Sequence, residues 1–435
     1  MREIRGRYGQ HKILKAEPGI SMHLLPADVL TPLTFSDFLM KYKFIIIKPL
    51  FGPQEVRIIA SDDGIELIDD EQIFHFQNKD QAYEYITEHI CKGKNYVIQA
   101  LLTGPTTLSY FYFTLHRESA EANWKVVKST TAAETSVPDR VKGLVKLWKL
   151  KILLLFAAKK LGAAFPKCHT VVMKVAKSPE GKYWLTDTIL HDRNSKWSQY
   201  HSLHRKRALR PFLPATDLCT KKTLFAFLNT YSKVVIKPCV GQQGQGIVKI
   251  SATGDATFEV HEMQGKLIKT DYDELFEYIF EQYLSQKDYI VQQLISLAKI
   301  NGCPFDIRVI TQNVEDDGWI VTGVIVKVAA KGYFISNRAG NLLTLEKALS
   351  SAEIGISVEN AGKWIEIITQ KASSRLNQNI GELSIIGFDI GIDDKGEIWV
   401  IEGNYVPSLS MFYMFDNNEI HERISYYIKK YKKSD

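Results

Sequence analysis

Apolar residues in the second half of the chain follow two periods, and the switching between them predicts mixed α and β structure. Residues 233–237 and 246–250 are β-branched runs flanking a glycine-rich stretch, the pattern of a hairpin. Across 271–284, Tyr272, Leu275, Phe276, Ile279, Phe280 and Tyr283 recur at helical spacing. Residues 290–295, 306–312 and 319–329 read as strands, and 342–348 and 361–376 as helices. Residues 385–392 and 397–402 form a strand pair joined by Asp393-Asp394-Lys395-Gly396, where Asp and Gly supply the tight reversal.

The pattern occurs twice. RYGQHKIL from Arg7 matches KWSQYHSL from Lys196, and the run ending at Lys48-Pro49 matches the run ending at Lys237-Pro238. NYVIQALL from Asn95 matches DYIVQQLI from Asp288, and EGKYWLTDTI from Glu180 matches KGEIWVIEGN from Lys395. The matches keep their order while the offset drifts from 189 to 193 to 215, as lengthening loops would make it. A period near 190 is too long for a solenoid repeat and suits a duplicated domain. Two domains are expected, 1–192 and 193–435.

Composition adds exclusions. With 435 residues, 45% of them apolar and 24% charged, the chain is neither disordered nor fibrous and is long enough for two or three cores. A net charge of +6 does not demand nucleic acid; a phosphorylated ligand or an anionic surface fits as well. The basic segments 204–210 and 427–433 suit either an acidic partner or solvated helix faces. Five scattered cysteines without a CxxC pair argue against a disulfide scaffold or zinc ribbon and favour a reducing compartment. MREIRGRYGQ lacks the apolar stretch of a secretory signal. Residues 152–158, bracketed by lysines, fall far short of the roughly 20 apolar residues of a membrane span and suit a buried helix. A soluble, cytoplasmic protein with neither nucleic acid nor membrane as partner is expected.

Candidate chemistry clusters in the second half. Lys237 is followed by Gly241, Gly244 and Gly246, whose backbone amides can approach a phosphate closely; the same glycines also suit an ordinary hairpin turn. No GxxxxGK[ST] motif and no following helix are present, which excludes a P-loop. Asp389 lies in GFDIGID, and Glu402 and Asn404 in IEGN. Pairing about the DDKG turn brings Asp389 beside Glu402, with Asn404 on the same face as Glu402. Two carboxylates and an amide oxygen are hard ligands suited to Mg2+. Buried Glu402 should find a metal or a lysine, whereas Asp393 and Asp394 read as solvated turn residues. Gln293 and Leu294 can meet an adenine edge, and Arg308 and Arg338 can neutralise phosphate or carboxylate unless they are plain surface residues.

In sequence order these pieces resemble the ATP-grasp superfamily, and most closely its YheC/YheD-type branch associated with endospore coats. The resemblance covers roughly 195–425, with the first half a degenerate version. It implies an α+β ATP-grasp fold in two tandem copies, with ATP gripped between subdomains. It also implies carboxylate–amine ligase chemistry through an acyl phosphate, acting on an amino acid, peptide or spore coat protein. Lys237, Gly241, Gly244 and Gly246, with Lys196, would hold phosphates, and Gln293 and Leu294 adenine. Asp389, Glu402 and Asn404 would hold Mg2+, with Lys237, Arg308 and Arg338 as the catalytic cations. Tyr405-Val406-Pro407-Ser408 and Gly340-Asn341 depart from the family's lysine–proline–glycine and double-glycine runs, on the acceptor side. A kinase-like ATP-grasp enzyme and a non-catalytic ATP-binding adaptor of the coat are the alternatives.

The first copy retains Lys48-Pro49, but its loop shrinks to FGPQE. Alignment through tryptophans puts Phe111 and Phe113 at the places of Asp306 and Arg308. It puts Lys174, Asp187 and Ile189 at those of Asp389, Glu402 and Asn404. That set cannot rebuild a Mg2+ site. This copy is expected to bind no MgATP and to serve as scaffold, dimerisation surface (a homodimer) or substrate-recognition module.

Overall fold

A computed structural model of the chain describes residues 5–51, 54–69, 72–101, 109–118, 120–131, 148–178, 180–192, 194–241, 244–254, 256–262, 265–285, 287–314, 318–331, 339–352, 354–380, 383–415 and 418–432. The chain divides into two compact units, the first formed by 1–192 with 277–288 and the second by 193–276 with 289–435.

The first unit contains strands β1 (Ala27–Val29), β2 (Phe44–Pro49), β3 (Val56–Ser61), β4 (Gly64–Asp69), β5 (Gln72–Phe76) and β6 (Tyr96–Leu101), in the sheet order β1-β6-β2-β3-β4-β5. A second sheet, ordered β10-β9-β7-β8, is built from β7 (Ser109–His116), β8 (Lys125–Thr131), β9 (Cys168–Lys177) and β10 (Tyr183–Asp192). The apolar run around 152–158 lies in helix Trp148–Ala164, which buries Leu150, Leu153, Leu154, Ala157, Ala158 and Leu161. No helix among the described residues is long and apolar enough to cross a membrane.

The second unit has β11 (Thr216–Leu218), β12 (Lys233–Pro238), β13 (Val248–Gly254), β14 (Thr257–Glu262), β15 (Gly265–Lys269) and β16 (Tyr289–Gln293), in the order β11-β16-β12-β13-β14-β15. After the short β17 (Lys299–Ile300) come β18 (Cys303–Val314), β19 (Gly318–Ala329), β20 (Ala339–Leu343), β21 (Ile385–Ile392) and β22 (Ile398–Asn404), ordered β20-β19-β18-β21-β22. The six-strand order of one unit thus recurs in the other.

Period-2 alternation positions the second unit's chemistry. Ile307, Val309, Val326, Phe388, Ile390 and Val400 point to one side of the β19-β18-β21-β22 sheet and pack on Ala361, Ile365, Ile368, Ala372 and Leu376 of helix Val358–Ile380. Burying such side chains contributes roughly 1.5–3 kcal/mol each, so register is held firmly and the opposite face is left to polar residues. Val400 and Glu402 are two apart and in a regular strand would share a face. A bulge at Ile401, between the pairs Asp389↔Glu402 and Ile390↔Val400, turns Glu402 away from the core.

Residues 385–392 form the expected strand end to end. Residues 342–348 do not form one helix: Leu342 and Leu343 pair with Lys327 and Val326 as part of β20, and the helix is Leu345–Ala352. Thr344 marks the change by accepting from the Lys347 amide at 3.2 Å. The helix expected over 271–284 is α-helical through Tyr272–Ile279 and widens into a π-turn at Phe280–Leu284. In the first unit Tyr112 faces Lys174 as Arg308 faces Asp389, so Tyr110 and Tyr112, not Phe111 and Phe113, stand at the places of Asp306 and Arg308. Tyr112 stands twelve positions before Trp124 but Arg308 eleven before Trp319, which is why alignment through the tryptophans slips by one.

Candidate active site

The polar face of the β19-β18-β21-β22 sheet carries a row of charges set by register. Lys327 on β19 faces Asp306 on β18; two residues on, Arg308 faces Asp389 on β21, which faces Glu402 on β22. Arg308 donates Nε to Asp389 Oδ1 at 3.0 Å and Nη2 to Oδ2 at 3.1 Å, a bidentate pair. Lys327 Nζ stands 2.9 Å from both Asp389 Oδ1 and Asp306 Oδ1. Burial alone would raise the pKa of Asp389, but Lys327 and Arg308 outweigh it and hold the carboxyl below its ordinary value. Burial likewise works against the Lys327 charge, and the two aspartates outweigh it.

Lys237, 6% exposed at the end of β12, donates to Gln292 Oε1 at 2.8 Å. Gln292 passes the chain on by donating Nε2 to Thr216 Oγ1 at 2.9 Å. Burial pulls the Lys237 amine down to about 8, against the opposing pull of Glu402. Lys196 Nζ lies 3.2 Å from Glu402 Oε1 and donates to the Gly241 carbonyl at 3.1 Å, tying the glycine-rich stretch to β22. Glu402 is half-buried rather than buried, and the lysine expected beside it is present.

These groups line one cleft of about 2270 Å³, together with Gly241, Gly244, Gln293, Leu294 and Asn404. Among the described residues nine lysines and arginines but only four carboxylates line it, so its charge matches a polyanion. Gln293 lies at the end of β16, its Oε1 accepting from the Ala215 amide at 3.4 Å. Gly246 does not line the cleft. Its φ of +72° and the 2.7 Å at which a Cβ would meet Tyr289 Oη give that glycine a conformational role. Gly246→Ala should therefore lower stability by roughly 1–2 kcal/mol for the left-handed backbone alone. Tyr289→Phe should relieve only the contact share, as denaturant titration of the single and double variants would reveal. Arg338 lies outside the described residues.

Asp393 is a correction. It is buried at 7% exposure and accepts from the Lys395 and Glu397 amides (3.0 and 2.8 Å) and from Trp399 Nε1 (3.0 Å), so it builds the turn instead of facing solvent; Asp394 is the exposed one. Gln292 and Lys327 were passed over. Each is a lone polar side chain in an apolar strand run, which is the signal that would have found them.

Asp389, Glu402 and Asn404 share the cleft face, and among the described residues no three acidic, histidine or cysteine side chains cluster as a metal cage. Two carboxylates and an amide suit Mg2+, which takes few protein ligands and completes its shell with waters and phosphate oxygens.

Residues 154–434 match the profile of the family described as YheC/D like ATP-grasp. Endospore coat-associated protein YheD of Bacillus subtilis (strain 168) is 29% identical over 236 residues, 53% of this chain and 51% of the relative. Endospore coat-associated protein YheC of the same organism is 24% identical over 230 residues, 52% of this chain and 63% of the relative. The alignments thus span about half to under two thirds of the length of these relatives. Among solved structures, N5-carboxyaminoimidazole ribonucleotide synthetase from Thermotoga maritima overlaps at 15% identity and a TM-score of 0.32, over 54% of this chain and 48% of the other.

Proposed function

The chain belongs to the YheC/D-like ATP-grasp family, and from that membership we propose that its second unit is an ATP-dependent carboxylate–amine ligase. The observation that carries the reading is the register pairing of Asp389 with Glu402 on the face of a cleft whose other wall presents buried Lys237.

A carboxylate is a poor acyl donor because oxide would be its leaving group. Attack of the carboxylate oxygen on the γ-phosphorus of ATP breaks the bond to ADP and leaves an acyl phosphate. Attack of an amine nitrogen on the acyl carbon then expels phosphate with its electron pair, and the amine loses a proton. Catalysis of this kind is mostly positioning and charge neutralisation. Lys237 and Lys196 would neutralise phosphate oxygens, and the amides of Gly241 and Gly244 would approach them. Gln293 and Leu294 would border adenine. Arg308 would exchange Asp389 for the transferring phosphoryl group, a task that Arg338 would share. Asp389, Glu402 and Asn404 would hold Mg2+, which supplies charge neutralisation on the triphosphate when bound. The first unit, built on the same strand order, reads as a second copy without this donor set. The ligase reading calls for an amino acid, peptide or coat protein as substrate, and the names of the two curated relatives suggest the spore coat as the place of action.

ADP release with pooled amino acids and peptides tests the reading, and hydroxylamine trapping of an acyl phosphate separates a ligase from a kinase-like enzyme. The bidentate Arg308–Asp389 pair favours a second reading, a nucleotide-binding adaptor of the coat whose ionic site closes on itself. ATP raising the melting temperature while no acceptor releases ADP would select it.

Nucleotide affinity should depend on pH through Lys237. Free, the amine titrates near 8, below the 10.5 of an exposed lysine. Bound phosphate would raise it again, so affinity is level below pH 8 and falls up to about tenfold per unit above it. Calorimetric titration with MgATP between pH 7 and 10 checks this, and Lys237→Met should flatten the profile.

A further inference from the structure

The first unit holds an ionic cluster for which the proposed chemistry has no use. Lys48, 3% exposed at the end of β2, donates at 3.2 Å to Gln99 Oε1 and to the Thr186 carbonyl. Gln99 stands on β6 as Gln292 stands on β16, so Lys48 repeats the setting of Lys237. Arg7 binds both oxygens of Asp187 at 2.8 Å, the counterpart of Lys196 beside Glu402. Where the second unit has Asp389, however, the first has a cation, Lys174.

Three cations therefore converge, and a residue with no counterpart in the second unit answers them. Glu55 lies just before β3, at the end of the short segment that replaces the glycine-rich stretch. Its oxygens are 2.6 and 2.7 Å from Lys174 Nζ and 3.4 Å from Lys48 Nζ. Burial works against its charge, but Lys174 and Lys48 outweigh that and keep it ionised. The cavity left beside Arg7, Lys48 and Asp187 is about 30 Å³, room for about one water, against about 2270 Å³ in the second unit.

We propose that Glu55 is a built-in ligand: its carboxylate stands between Lys48 and Lys174 where a phosphate group would otherwise stand, and its removal turns the first unit into a binding site for an inorganic polyphosphate. The likeness to Lys237 rests on reading the two units as copies; the ion cluster does not. Without Glu55 the nearest carboxylate to buried Lys48 and Lys174 is Asp187, already held by Arg7, so the cluster carries an excess of positive charge that it relieves by opening, by releasing the Lys48 proton that burial already disfavours, or by recruiting an anion.

Hydrogen–deuterium exchange of the full chain, read by mass spectrometry in peptides over 44–49 and 168–177, tests this. In Glu55→Gln these peptides should exchange about tenfold faster than in the wild type, and millimolar pyrophosphate should reverse most of the change. Wild-type peptides should not respond to pyrophosphate, nor should those of Glu55→Gln/Lys174→Gln, which lacks both charges. Exchange in Glu55→Gln equal to wild type, or equal protection of wild type by pyrophosphate, overturns the proposal. Should Glu55→Gln be soluble only when purified in pyrophosphate, the proposal stands; should it stay insoluble there while the double variant is soluble, it falls. ATP protection over 233–254 in the same samples reports the second unit separately, so either reading can fail without the other.

Discussion

Lys237→Met is expected to abolish most nucleotide turnover while leaving the second unit folded. Methionine keeps the buried stem and removes a charge that burial already disfavours, so the fold loses little beyond the hydrogen bond to Gln292 Oε1. The transition state loses a cation from a largely buried position, where charge is worth far more than in water. By analogy with removal of one preorganised donor, ADP release should fall by about 10²–10³-fold in kcat/KM. Steady-state ADP release and thermal unfolding, measured on the same preparation, check both halves. Full activity in the variant would remove the lysine from the mechanism.

Asp389→Ala should have the largest effect on stability. Arg308 and Lys327 both depend on this carboxylate, and their side chains are only 11% and 4% exposed. Removing it leaves two buried cations side by side, with Asp306 able to answer only Lys327. Breaking a buried pair in this way costs about 3–5 kcal/mol. Denaturant unfolding should show the second unit's transition move to lower concentration, and Asp389→Leu combined with Arg308→Leu, which leaves Lys327 paired with Asp306, should recover much of the loss. A single variant as stable as the wild type would mean that water reaches the row and the ion pairs are solvated. Glu402→Ala, whose partner Lys196 also holds the Gly241 carbonyl, should destabilise less while still suppressing turnover.

How much of this was readable beforehand follows from how local each feature is. The pairing of Asp389 with Glu402 was legible because one short turn joins their strands, and a turn of given length sets which residues face each other. The hairpin between 233–237 and 246–250 was legible for the same reason, and the helix around 152–158 from a short apolar run bracketed by lysines.

What the chain alone did not disclose lies in partners distant along it. Gln292 reaches Lys237 from 55 residues away, and Arg308 reaches Asp389 from 81. The bulge at Ile401 was hidden because a strand's period says which side chains alternate, not where one extra residue resets the alternation. Asp393 looked solvated because its turn reads as exposed, yet its oxygens close the turn from inside. Glu55 looked like a remnant of a shortened loop, since a carboxylate's role depends on which cations the fold brings to it. Period and turn chemistry are short-range and therefore written in the chain itself. Charge compensation is long-range, and only folding decides which buried charge meets which.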